Sequence, residues 1–170
     1  MTWLPSGKGK ILFSTPAAAN NKVVLVTDSG YVVALDAFTG KEQWSVRIGS
    51  TNRSSPTIDG DTVYLSGGED GKIYALDLKS GSIIWTTVVG AMAVYESPLL
   101  VNGTLFVSSD LSEDAKVTAL NAENGEKKWS VNLGAPTYFG PSAGDGMLFI
   151  GSYDNQKLRA LRIEDGTEVW

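Results

Sequence analysis

The sequence predicts an all-β fold, a β-propeller of four-stranded antiparallel blades with four repeats in the chain. Three observations carry this. An eleven-residue phrase occurs four times: ALDAFTGKEQW at Ala34–Trp44, ALDLKSGSIIW at Ala75–Trp85, ALNAENGEKKW at Ala119–Trp129 and ALRIEDGTEVW at Ala160–Trp170. The closing tryptophans lie 41, 44 and 41 residues apart, a period that suits a strand-rich propeller blade. Nothing within the period reads as a helix, because no 11-residue window repeats apolar residues at i, i+3, i+4 and i+7.

The second copy shows how each strand arises. Ser55-Pro56-Thr57-Ile58 opens the unit, and Asp59-Gly60-Asp61 turns the chain. Thr62–Ser66 alternates apolar and polar residues as a half-buried strand does, and the run Gly67–Gly71 turns it back. Lys72–Leu78 makes the third strand, Lys79-Ser80-Gly81 the next turn, and Ser82–Val89 the outer strand. Pro16, Pro56, Pro98 and Pro141 recur at the start of the first strand, where a missing N–H costs no ladder bond. Gly40, Gly81, Gly125 and Gly166 each follow a small polar residue, as a hairpin with a positive-φ position requires. The third copy is longer by three residues, placed in the turn Leu111–Ala115. A longer turn adds little loop entropy. Residues 1–170 are expected to form a single domain of four repeats.

Composition removes several function classes. The chain has no cysteine and no histidine. Disulfides, thiolate metal sites, cysteine nucleophiles and Ser-His-Asp catalysis are therefore ruled out. Net charge is −5, with 14 basic against 19 acidic residues and no basic stripe, so no nucleic-acid partner is expected. No apolar run is long enough to span a bilayer as a helix. The acidic turns Glu69-Asp70 and Asp110–Asp114 lack the alternating ligand spacing of a calcium loop, and no metal site is expected.

The phrase resembles the tryptophan-docking repeat, AxDxxTGxxxW, of the pyrroloquinoline-quinone (PQQ) quinoprotein dehydrogenases and their non-enzymatic relatives. The resemblance implies that Trp44, Trp85, Trp129 and Trp170 dock on neighbouring blades. Their docking surfaces would be Gly40, Gly81, Gly125 and Gly166 with the alanines at 34, 75, 119 and 160. The acidic third position is kept as Asp36 and Asp77 and departs to Asn121 and Arg162. In the enzymes of that family, PQQ and Ca²⁺ sit on the propeller axis against adjacent cysteines and a tryptophan. This chain has no cysteine and no tryptophan beyond the repeat positions and the in-phase Trp3, so no cofactor and no catalytic residue is assigned.

The expected function is a non-catalytic binding or assembly scaffold, similar to the lipoprotein scaffold of bacterial outer-membrane assembly. Two alternatives are a fragment of a PQQ-dependent dehydrogenase and a sensor domain of a larger cell-surface receptor or kinase. The resemblance points to the bacterial periplasm or cell surface. What differs between copies is the approach to the first strand. It places Arg53, Tyr95, Glu96, Tyr138 and Phe139 at the top face near the axis, as a surface for a protein partner or small ligand. Asp70, Asp114 and Asp154 would add an acidic rim. Thr2-Trp3-Leu4 matches the tail of a preceding unit, while the fourth copy stops at Trp170. Two chains joined head to tail are therefore expected to close an eight-bladed homodimeric ring.

Overall fold

The computed structural model describes residues 7–11, 14–49, 54–90, 96–109, 115–137, 140–152 and 156–170. Among them there are fifteen strands and no helix. Blade 1 contains β1 (Ala17–Ala19), β2 (Lys22–Val26), β3 (Tyr31–Asp36) and β4 (Glu42–Arg47). Blade 2 contains β5 (Thr57–Asp59), β6 (Thr62–Ser66), β7 (Lys72–Asp77) and β8 (Ile83–Val88). Blade 3 contains β9 (Leu99–Val101), β10 (Thr104–Ser108), β11 (Lys116–Asn121) and β12 (Lys127–Asn132). Blade 4 contains β13 (Ser142–Gly144), β14 (Met147–Ser152) and β15 (Lys157–Arg162). Every sheet is a sequential antiparallel meander, so no long crossover is needed within a blade. In blade 2 the third strand ends at Asp77 rather than the expected Leu78, and the outer strand is one residue shorter at each end than the expected Ser82–Val89. In blade 4 the outer strand has begun: Leu161 bridges Glu168, Val169 N–H donates to Ala160 O at 2.8 Å, and Ala160 N–H donates to Trp170 O at 2.9 Å.

The period of two along each strand divides side chains between the neighbouring blades. In blade 2, Val63, Leu65, Tyr74 and Leu76 join Val24, Val26, Val32 and Ala34 of blade 1 in one core. Their sequence neighbours Tyr64, Ile73 and Ala75 face the other way and meet Leu105, Val107 and Leu120 of blade 3. A third core joins Phe106, Val117 and Ala119 to Leu148, Ile150 and Leu161 of blade 4. The middle strands read as nearly continuous apolar runs because both of their faces are buried; Thr62–Ser66, expected to be half-buried, is buried from Val63 to Ser66. Hydrophobic burial between blades, not within them, holds the array together.

Candidate functional site

Each blade joint is organised around one tryptophan. Trp44 on β4 pairs across its own sheet with Ala34, Trp85 with Ala75 and Trp129 with Ala119. The alanine therefore belongs to the tryptophan's own blade, and a small side chain there leaves room for the ring. The glycine belongs to the next blade. A Cβ added to Gly81 would lie 2.6 Å from Trp44 Cε3, and one added to Gly125 would lie 2.6 Å from Trp85 Cε3. At Gly166 the corresponding distance to Trp129 Cε3 is 2.8 Å. These three glycines have φ of +76°, +75° and +75°, so both space and backbone exclude a side chain. Each indole also donates across the joint. Trp44 Nε1 reaches Leu78 O at 3.0 Å, Trp85 Nε1 reaches Ala122 O at 3.1 Å, and Trp129 Nε1 reaches Ile163 O at 3.0 Å. Gly40 has φ +67° and is half-buried; Trp170 remains 57% exposed beside Phe149.

The hairpin that carries each glycine is fixed by the acidic third position where that residue is kept. Asp36 Oδ1 accepts from Thr39 N–H and from Thr39 Oγ1–H, both at 2.7 Å. Asp77 Oδ1 accepts from Ser80 N–H at 2.7 Å and from its hydroxyl at 2.5 Å. These hydrogen bonds to the charged form, the hydroxyl first, hold both carboxyls below the ordinary aspartate value. Asn121 gives the third turn a single bond, from Glu123 N–H.

A second network runs close to the blade entrances. Thr15 N–H donates to Ser55 Oγ at 2.9 Å, and Ser55 N–H donates to Ser97 Oγ at 2.9 Å. Thr15, Ser55, Ser97 and Gly140 all precede the repeated prolines, so the relay links successive blades and stops where the fourth copy has no side chain. Sequence periodicity does not reveal it, because a Ser or Thr before Pro reads as an ordinary turn residue. Among the described residues the buried hydroxyls of Ser14, Ser108 and Thr137 have no hydrogen-bond partner. Such groups cost about 1–3 kcal/mol each unless water reaches them.

Of the five residues expected to form a top-face surface, Arg53, Tyr95, Tyr138 and Phe139 lie outside the described residues. Glu96 is described: it is half-buried, its carbonyl accepts from Ser66 Oγ at 2.9 Å, and its Oε2 lies 3.6 Å from where a Cβ on Gly140 would be. Of the five, Glu96 alone is thus placed. Asp114 and Asp154 also lie outside the described residues. Asp70 turns onto its own hairpin, accepting from Tyr74 Oη at 2.5 Å and Lys72 N–H at 3.0 Å.

The described residues do not fit a quinone cofactor. No group of three acidic or other metal-ligating side chains converges among them. The rings of Trp44, Trp85 and Trp129 are already occupied at blade joints. The chain supplies no cysteine.

Repeated four-stranded meanders joined by tryptophan on glycine define this chain as a PQQ-like β-propeller protein. A family model described as "Outer membrane protein assembly factor BamB" matches residues 3–97 and 69–170, and the chain belongs to that family. Among curated relatives, the outer membrane protein assembly factor BamB of Yersinia pestis is 29% identical over 91% of this chain and 42% of its own length. The Burkholderia pseudomallei protein of the same name is 30% identical over 99% of this chain and 44% of its own. The chain thus spans less than half the length of these relatives. Among solved structures, BamB from Moraxella catarrhalis superposes with a TM-score of 0.73 at 21% identity, covering 91% of this chain and 50% of that one. A quinohemoprotein alcohol dehydrogenase from Comamonas testosteroni superposes with 0.77 at 16% identity, covering 92% and 34%, a likeness of fold alone.

Proposed function

We propose that the protein is a non-catalytic scaffold that binds protein partners, in the manner suggested by the name of its relatives, an outer membrane protein assembly factor. One observation carries the reading: the family match runs through all four repeats. It is supported by the use of Trp44, Trp85 and Trp129 at blade joints and by the poor fit of the described residues to a quinone. The clients would be outer membrane proteins or the proteins that assemble them, and the compartment the bacterial periplasm or cell surface. Incubation of the folded chain with a urea-unfolded outer-membrane β-barrel protein, diluted into buffer, tests this. Saturable binding and delayed client aggregation are expected; no effect at a tenfold excess of the chain would reject the reading.

The head-to-tail ring of two chains belongs to the same proposal, since one copy spans 50% of the Moraxella propeller chain. Light scattering should give about twice the 18.1 kDa chain mass. A value of one chain mass would reject the ring and leave the scaffold reading in place.

A further inference from the structure

The outer strands of the three complete blades occupy equivalent positions and differ sharply in chemistry. On β4 the exposed positions carry Glu42, Gln43 and Arg47, and on β12 they carry Lys127, Lys128 and Asn132. Charged residues on a sheet edge discourage another strand from adding to it. On β8 the same positions are Ile83, Ile84 and Val88, which are 47%, 51% and 55% exposed. Residues 82–88 carry no charge at all. β8 ends the order β5-β6-β7-β8, so no strand of its sheet pairs with its outer edge.

The joint beside β8 is equally distinct. A groove of about 390 Å³ opens between blades 2 and 3, with Tyr64, Ile84, Trp85 and Ala122 in its apolar wall. Asp59 and Glu123 are its charged lining residues, and no basic side chain lines it. At the next joint the position of Ile84 is held by Lys128, whose Nζ donates to Thr104 Oγ1 at 2.6 Å. At the joint between blades 1 and 2, Asn20 crosses to Asp61 Oδ1 at 3.0 Å. Among the described residues, the middle joint combines an uncharged open edge, an apolar wall and an acidic rim.

We infer that β8 is a docking edge for an extended peptide segment that alternates apolar residues and carries a lysine or arginine. Its backbone adds to β8 as a fifth strand, one apolar side chain enters the groove against Ile84 and Tyr64, and the cation meets Asp59 and Glu123. A second copy of the chain fits less well, because its own β8 would bring no cation to that rim. This inference rests on the scaffold reading and assigns it a surface and a ligand chemistry.

The test uses the full chain and a fluorescein-labelled ten-residue peptide of alternating valine and threonine with two lysines. A control peptide carries glutamate in place of lysine. Anisotropy should show saturable binding of the lysine peptide and at least tenfold weaker binding of the control. Hydrogen exchange at the amides of residues 83–88 should slow in the complex. Ile84→Lys and Val88→Lys, each checked for an unchanged unfolding midpoint, should each weaken binding at least tenfold. Asp59→Asn combined with Glu123→Gln should remove the preference for lysine. Unchanged binding to the folded lysine variants would overturn the inference. So would a wild-type chain that self-associates through β8, seen as a concentration-dependent mass that Ile84→Lys abolishes. An unfolded barrel client that still binds both lysine variants would remove β8 as the surface while leaving the scaffold reading standing.

Discussion

Trp85 lies on Gly125 so closely that a methyl group on the glycine would sit 2.6 Å from the ring, and the same indole donates to Ala122 O at 3.1 Å. One residue thus joins blades 2 and 3 by ring contact and by hydrogen bond. The relationship recurs from Trp44 to Gly81 and from Trp129 to Gly166, and it accounts for the fixed spacing of the repeated phrase.

Gly125→Ala should therefore be costly for two separable reasons. The left-handed backbone at φ +75° costs an alanine about 1–2 kcal/mol, and the clash with Trp85 adds to it. Gly103→Ala is the control, because Gly103 has φ +70° with nothing within 4 Å of its added Cβ. Urea unfolding should show a loss of about 1 kcal/mol for Gly103→Ala and at least twice that for Gly125→Ala. Equal losses would mean that the ring contact is weak.

Removing the ring itself should cost more. Trp85→Ala is expected to destabilise by about 3–5 kcal/mol, as large-to-small changes at packed aromatic sites do. Trp85→Phe keeps most of the apolar contact and leaves Ala122 O without its donor, a loss of about 1–2 kcal/mol. Thermal or urea unfolding of both variants measures the division between packing and hydrogen bond.

The interrupted relay near the blade entrances gives a prediction of opposite sign. The backbone of Gly140 does not lie in the left-handed region, and a Cβ there would find Ser97 O at 3.5 Å, an ordinary contact. Gly140→Ser supplies the missing hydroxyl for the relay through Ser55 and Ser97. It should stabilise the chain by about 0.5–1 kcal/mol, from one hydrogen bond and a less flexible unfolded chain. Ser97→Ala should do the reverse, leaving the Ser55 N–H without its acceptor.

Asp36 and Asp77 set an acid limb. Hydrogen bonds from Thr39 and Ser80 lower both carboxyls below the ordinary aspartate value in the folded chain. A depressed folded value adds stability above the unfolded value, and that stability is lost as pH falls through the folded one. Amide exchange between pH 5 and pH 2 should show the hairpins at residues 36–40 and 77–81 loosening with acid. The hairpin at 121–125, with Asn121 in the same place, should change less. Asp36→Asn and Asp77→Asn should flatten the acid dependence of their own hairpins only.

Much of the architecture can be read directly from the chain because it is stated four times. Trp, Gly and the strand turns recur in phase, and repetition separates scaffold residues from chance. The loss of pattern at Asn121 and Arg162 marks hairpins with fewer side-chain bonds to their turns, in line with the single bond made by Asn121. Function resists the same reading because repetition says nothing about what binds. Arg53, Tyr95, Tyr138 and Phe139 stand out only as differences between copies, and they lie outside the described residues. The difference at Ile83, Ile84 and Val88 is just as visible in the aligned copies. Its meaning depends on exposure, since isoleucine on a buried strand would be unremarkable packing.

The central claim is that Trp44, Trp85 and Trp129 serve the blade joints and that the described residues do not fit a quinone. Equilibrium titration of the full chain with PQQ in the presence of Ca²⁺, followed by quinone absorbance and by alcohol-dependent dye reduction, tests it most directly. The account predicts no saturable binding at micromolar PQQ and no dye reduction. Stoichiometric binding accompanied by alcohol oxidation would contradict it and make the chain part of a quinoprotein dehydrogenase.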